Sequence, residues 1–316
     1  MTATLLPEPL EPGSSEWLQT ISASKVAAIL GLSPWATAYS LWHDMAGTTP
    51  REKETQVQND GTFWEPEIRE WFADAHPEWF VGETTTWRND ARPWQTADPD
   101  GLLYAGDAAL AHDDHAPAFA GLEVKCVHDY LGSAGWGKPG TDEVPDYYRV
   151  QAVWQMDTLG LDRVIFAVCG FRELMERKPA EYVIEYDAAE AARLRSKMNA
   201  FRMSVAMGVE PDPDFYRDED YRALKFKNRE VSAAGVDIPD ELAIPWLEAL
   251  AAADEAAKTE ARTRGALVEF LGTGKTAEWR GAKLGSRRRT TPPSFSKATG
   301  LDPVALLNPT PLKEAS

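Results

Sequence analysis

Glu123 and Lys125 stand two positions apart in Gly121-Leu122-Glu123-Val124-Lys125-Cys126. A strand turns alternate side chains to opposite faces, so a carboxylate and an ammonium share one face while Leu122 and Val124 point into a core. A second carboxylate, Asp100, lies upstream in Ala97-Asp98-Pro99-Asp100-Gly101, a run with turn chemistry. Carboxylates that converge in this way can hold a hard cation such as Mg²⁺. A neighbouring lysine can orient or activate a metal-bound water. Together these groups supply what hydrolysis of a phosphodiester needs. Each fragment alone has a plainer reading: Pro-Asp-Gly makes a turn, and a Glu-x-Lys pair describes any solvated strand face. The two in sequence, within one predicted hairpin, are more specific.

The elements that must position these groups can be read from periodicity. Residues 22–31 read as a short helix, with Ser22 as N-cap and Gly31 at its end. Ser33-Pro34 is expected to open a second helix reaching Gly47. A third covers 61–75, with Trp64, Ile68, Trp71 and Phe72 at helical spacing. Strands are expected at 83–87, 102–104 and 119–127, the last carrying Glu123 and Lys125. A helix at 147–159, strands at 164–169 and 182–186, and a helix at 188–206 follow. This order predicts an α/β domain with a mixed sheet.

Domain organisation follows composition. Residues 1–14 are Pro-, Glu- and Ser-rich and are expected to be disordered. The domain with the chemistry spans 15–220, a linker 221–238, an Ala- and Glu-rich helical extension 239–272, and a basic, loop-rich tail 273–316. With 316 residues, 43% of them hydrophobic, the chain can bury a sizeable core. Its two cysteines, Cys126 and Cys169, exclude a disulfide framework and a four-cysteine cluster, and fit a reducing cytoplasm. No run of 18 apolar residues marks a membrane span, and the N-terminus has no secretory pattern. The net charge of −17 argues against a nucleic-acid partner. Its distribution softens that: residues 256–316 hold 11 Lys/Arg against 5 Asp/Glu. Acidic metal ligands also reverse the local field once they are loaded.

Other motifs are weaker. His112-Asp113-Asp114-His115 reads as a solvated loop before a metal site. Gly272-Thr273-Gly274-Lys275-Thr276 lacks the full phosphate-loop spacing and reads as a helix C-cap. Arg287–Arg289 is either a basic tail or a DNA contact. Gln151 and Gln155, four apart on one helix face, read alone as an exposed amide pair, and Glu65-Pro66 as a helix start.

The run Asp100…Glu123-Val124-Lys125 resembles the active-site signature of the PD-(D/E)XK nuclease superfamily. Trp17-x-x-x-Ile21-Ser-Ala-Ser24-Lys-Val with Ile29-Leu30-Gly31-Leu-Ser-Pro-Trp35 resembles the N-terminal motif of YqaJ-type viral recombinases, the relatives of phage lambda exonuclease. Gly61-Thr-Phe-Trp64-Glu65-Pro66 resembles their Gly-x-x-x-Glu-Pro helix, and Tyr148-x-x-Gln151-x-x-x-x-Met156 their Gln-containing helix. The likeness covers residues 17–160 and stops short of the last hundred.

The resemblance implies a restriction-endonuclease-like α/β core, a central mixed sheet flanked by helices, with a C-terminal helical extension. It implies that Asp100, Glu123 and the Val124 carbonyl ligate Mg²⁺, with Mn²⁺ able to substitute. Lys125 would orient the attacking water, Glu65 a second metal or its water, and Gln151 would position Lys125 or the water. Ser24 would grip a 5′-phosphate, where the family also has an arginine about seven positions earlier. Trp17 holds that place here, so Lys25 or another basic residue would have to substitute. The implied activity is a Mg²⁺-dependent exonuclease acting on double-stranded DNA ends, 5′→3′, releasing 5′-mononucleotides in a bacterial host cytoplasm. Implied partners are a single-strand DNA annealing protein and further copies of the chain in a trimer. Alternatives are a RecB-like nuclease of other polarity and a non-catalytic DNA-binding protein that keeps the fold.

Overall fold

From Val164 onward every residue of the segment Arg163–Cys169 is apolar and buried, the pattern of a strand covered on both faces. In the computed structural model it is strand β7. The strands before it are β1 (Ala3–Leu5), β2 (Trp79–Gly82), β3 (Trp87–Asn89), β4 (Thr96–Ala97), β5 (Gly101–Ala105) and β6 (Ala120–Cys126). Strand β8 (Ala180–Glu185) follows. One mixed sheet has the order β2-β5-β6-β7-β8, with β6 and β7 parallel and the other neighbours antiparallel. The structure describes residues 2–11, 13–50, 56–106, 118–127, 131–227, 235–288, 294–297, 299–300, 303 and 307. They divide into two units, Met1–Val231 and Ser232–Ser316.

The helices of the first unit are α1 (Ser15–Gln19), α2 (Ala23–Ile29), α3 (Ala38–Met45), α4 (Gln56–Ala75), α5 (Asp146–Leu159), α6 (Phe171–Glu176), α7 (Ala188–Met207) and α8 (Asp218–Lys227). Helix α5 lies in the crossover that the parallel pair β6 and β7 requires. The sheet separates two apolar layers. On one face Leu122, Val124, Ile165 and Ala167 pack with Ile68 and Phe72 of α4. On the other, Phe166, Val168 and Tyr182 pack with Val153 and Trp154 of α5 and Val26 of α2. Full burial of side chains such as Ile68, Phe72 and Leu122 contributes about 1.5–3 kcal/mol each. The expected α/β core with a mixed sheet between helices is the fold observed.

The boundaries differ from the sequence reading where tertiary contacts override composition. Residues 3–5, expected to be disordered, form β1 against β3, with Thr2 N–H on the Leu159 carbonyl at 3.0 Å. Helix α3 starts after Thr37, which forms a capping box with Ser40, while the Ser33 hydroxyl accepts the N–H groups of Trp35 and Ala36. Pro66 lies inside α4 instead of opening it. Residues 83–86 are not a strand: the Thr86 hydroxyl donates to Asp98 and accepts the Leu10 N–H. Part of the expected linker is α8, whose Asp220 accepts from Thr37 and from the Asp214 N–H.

The second unit holds α9 (Asp240–Leu271) and an antiparallel sheet in the order β11-β10-β9, built from β9 (Thr276–Trp279), β10 (Ala282–Arg288) and β11 (Ser294–Lys297). The tail is therefore less loop-rich than its composition suggested. Gly285 makes the sheet possible, since a Cβ there would meet the Phe295 ring at 2.4 Å and the Ser296 carbonyl at 2.6 Å. Gly272 ends α9 with φ +52°, the C-cap expected.

Candidate active site

Strand β6 places its residues as its alternation demands. Leu122 and Val124 join the α4 layer, and Glu123 and Lys125 face α5. Glu123 is 2% exposed, and a buried carboxylate must be hydrogen-bonded. Its Oε1 accepts from Lys125 Nζ at 2.5 Å and from Gln151 Nε2. Its Oε2 accepts from Gln155 Nε2 at 2.6 Å. Gln151 and Gln155 are one helical turn apart on α5, so a single helix face grips both carboxylate oxygens.

Asp100 sits just before β5, where its N–H donates to the Leu122 carbonyl at 3.1 Å and its Oδ2 accepts the Val124 N–H at 2.7 Å. Leu122 and Val124 thus turn their backbone groups toward the β5 side. At Val124 the β5 strand has already ended, because Gly101 pairs with Leu122. The Val124 carbonyl therefore points to the side that holds Asp100. Gly101 serves by close approach and not by positive φ: a Cβ there would lie 3.2 Å from Val81 and 3.4 Å from Leu122. Burial, then Glu123, pushes the Asp100 carboxyl well above the usual carboxylate range, with Lys125 opposing. Burial would lower the Lys125 ammonium, but Glu123 and Asp100 outweigh it and hold it above the ordinary lysine value. The Tyr148 ring lies 5.3 Å from Lys125 Nζ.

Glu65 lies on the α4 stripe of Ile68 and Phe72, at the end that reaches this cluster. Burial raises its carboxyl, and Lys125 and Glu123 both act on it. Asp100, Glu123, Val124, Lys125, Glu65 and Gln151 are thus gathered, with Gln151 acting on Glu123 and not on Lys125. Gln155, expected as half of an exposed amide pair, is 1% exposed and bonded to Glu123.

Among the described residues no three Asp, Glu, His or Cys side chains stand together at ligating distance. The fit to a divalent cation rests on two carboxylates, Asp100 and Glu123, with the Val124 carbonyl. Mg²⁺ suits such a set, because it keeps several waters and takes one or two carboxylates plus substrate phosphate. Gln155 Oε1, buried and without a hydrogen-bond partner among the described residues, offers an acceptor for a bound water one amide away from Glu123.

Ser24 is exposed in the first turn of α2, its hydroxyl 3.1 Å from that of Ser22. Lys25 is turned inward, contrary to its expected role at a phosphate. Its Nζ donates to the carbonyls of Trp17 (2.7 Å) and Thr20 (2.8 Å) and lies 3.4 Å from the Trp17 ring centroid. These acceptors end α1, whose last carbonyls need donors, and burial lowers the lysine to about 7. His112, His115 and Arg289 lie outside the described residues. Arg287 donates to the Gly272 carbonyl.

Residues 16–162 match the model of the YqaJ-like viral recombinase domain. The chain is similar to an alkaline exonuclease, LHK-Exo, from Laribacter hongkongensis, at 21% identity over 61% of this chain and 90% of that one, with a TM-score of 0.45. For the structure of LHK-Exo with dAMP the figures are 21%, 63%, 92% and 0.47. A phage-related exonuclease from Haemophilus somnus 129PT gives 14% identity over 60% of this chain and 95% of that one, with a TM-score of 0.45. Comparison with curated proteins gave no match.

Proposed function

The chain carries a YqaJ-like viral recombinase domain at residues 16–162, and from that premise we propose that it is a Mg²⁺-dependent exonuclease of phage-type recombination. It would degrade double-stranded DNA from its ends, 5′→3′, releasing 5′-mononucleotides and leaving a 3′ strand for a single-strand annealing protein. The observation that carries this reading is the convergence of Asp100, Glu123 and Lys125 at the point where β5 begins beside β6. A protein that only binds DNA has no need to bury Asp100 and Glu123 next to each other against their mutual repulsion.

In this reading Asp100, Glu123 and the Val124 carbonyl hold the cation, with Mn²⁺ as a substitute. When bound, the cation supplies Lewis-acid polarisation of the scissile phosphate. The protein's own groups do the rest. Lys125, held as an ammonium by Glu123 and Asp100, donates a hydrogen bond that orients the attacking water and offsets the negative charge that builds up in the transition state. Gln151 and Gln155 keep Glu123 in place, so that reorganisation during turnover is small. Glu65, its proton held more tightly than usual by burial, orients water at the edge of the cluster. Ser24 faces the solvent from which a DNA end approaches and hydrogen-bonds its 5′-phosphate. No helix among the described residues is long and apolar enough to cross a membrane.

The test is digestion of linear duplex with 5′-phosphate, 5′-hydroxyl or closed hairpin ends in Mg²⁺. The open ends are expected to lose a 5′ label first, as mononucleotide, while the hairpin resists. Loss of the 3′ label first would reverse the polarity, and an intact duplex would remove the activity.

A further inference from the structure

Helix α9 runs 32 residues, from Asp240 to Leu271, and none of them is buried. A helix of that length is held in water by packing an apolar stripe more than by propensity. Leu247 and Leu250 are 56% and 49% exposed, while Val268 and Leu271 are half-buried. Between Leu247 and Leu271, positions spaced alternately three and four apart fall on one stripe, the a and d positions of a heptad. Three pairs on it are apolar and symmetric about Thr259: Leu247 with Leu271, Leu250 with Val268, and Ala257 with Ala261. The fourth pair on the stripe is Asp254 and Arg264, equally symmetric and opposite in charge.

A twofold interface requires that whatever residue i meets across it, that residue meets i in return. This stripe satisfies the condition with itself when two copies run antiparallel, since each a position then faces a d position of the other. We propose that α9 pairs with α9 of a second copy of this chain as an antiparallel coiled coil centred on Thr259. Charge selects the direction. Residues 240–255 hold five acidic and no basic residues, and residues 256–271 hold three basic and two acidic ones. Antiparallel pairing lays the acidic half on the basic half, whereas parallel pairing sets Asp254 on Asp254 and Arg264 on Arg264. Within one chain Asp254 pairs with Lys258 (2.6 Å) and Arg264 with Glu260 (3.6 Å), both well exposed. Exposed pairs of this kind contribute little and exchange readily for a partner's charge. The alanines at the centre let the two helices approach closely, and the two symmetry-related polar layers in an apolar seam fix register.

The test is sedimentation equilibrium of the full chain at micromolar concentration. The unaltered chain is expected to self-associate. Asp254→Arg alone sets two arginines together in each polar layer, and Arg264→Asp alone sets two aspartates together. Each is expected to weaken association at least about tenfold, like charges facing each other being strongly disfavoured. Mixing the two variants restores opposite charges in both layers, so association between them is expected to return, as it is in the doubly substituted chain. Both positions are exposed, and circular dichroism verifies that helix content is kept. A monomer at these concentrations, association indifferent to either swap, or a mixture that fails to recover would each overturn the proposal.

Discussion

Gln155 Nε2 donates to Glu123 Oε2 over 2.6 Å, and Gln151 Nε2 holds the other oxygen of the same carboxylate. Helix α5 therefore presents two amides, one turn apart, to a single buried acid. Removing Gln155 leaves Oε2 without a donor in the interior, which is more costly than losing a surface bond, whereas Oε1 would keep Lys125 if Gln151 were removed.

Gln155→Leu keeps the bulk and deletes that donor. Activity is expected to fall about 10- to 100-fold, the usual loss when support of a metal-binding carboxylate is removed. The Mg²⁺ concentration for half-maximal activity should rise with it. A lowered rate with an unchanged Mg²⁺ requirement would show that Gln155 supports only the fold.

Asp100→Asn removes a charge but keeps an oxygen for the Val124 N–H. Burial and Glu123 both oppose ionisation of Asp100, so the neutral variant relieves repulsion in the metal-free protein. Its thermal midpoint is expected to stay level or rise, by roughly 2–4 °C per kcal/mol gained. Calorimetric titration with Mg²⁺ should show binding lost. A variant that still binds Mg²⁺ would remove Asp100 from the ligand set.

Lys25 carries a pH signature. Its folded value is lowered to about 7 by burial, against the ordinary 10.5. The unfolded chain therefore binds the extra proton more tightly. The resulting destabilisation is fully present below pH 7 and is relieved as pH rises from about 7 toward 10.5. Relative to Lys25→Met, the unaltered chain should gain stability across that window, on the order of a few kcal/mol. Urea unfolding of both proteins at pH 6.5 and 9.5 measures it; a constant difference would mean that Lys25 stays charged throughout.

Leu122→Ala opens a cavity in the layer between β6 and α4, since Leu122 is fully buried against Ile68 and Phe72. A loss of about 2–5 kcal/mol in urea unfolding is expected. A loss below 1 kcal/mol would mean that this layer collapses around the gap.

What the sequence made legible follows from the range of the interactions involved. The period of two in β6 put Glu123 and Lys125 on one face before any fold was known, whereas Glu65 reads from its own segment only as a helix start and gains a site role only through the resemblance. Gln155 was missed because a four-residue spacing reads alike on an exposed and a buried face, and only the sheet decides which it is. The spacing Gln151-x-x-x-Gln155 beside a buried acid was the available signal. Strand β1 was hidden by its length of three residues, and the sheet of β9, β10 and β11 by polar composition, their pairing being tertiary. Lys25 could not be foreseen as buried, because its acceptors are the carbonyls ending α1 and its platform is the Trp17 ring. Trp17, at the place where the resemblance leads one to expect an arginine, is thus the ring that covers Lys25 Nζ.

The catalytic reading stands most directly on Lys125. Release of acid-soluble nucleotide from linear duplex DNA should be measured in Mg²⁺ for the unaltered chain and for Lys125→Ala. The expected result is Mg²⁺-dependent release by the former and a loss of at least about 100-fold in the variant, with circular dichroism unchanged. Equal release by both, or none by either in Mg²⁺ or Mn²⁺, would contradict it.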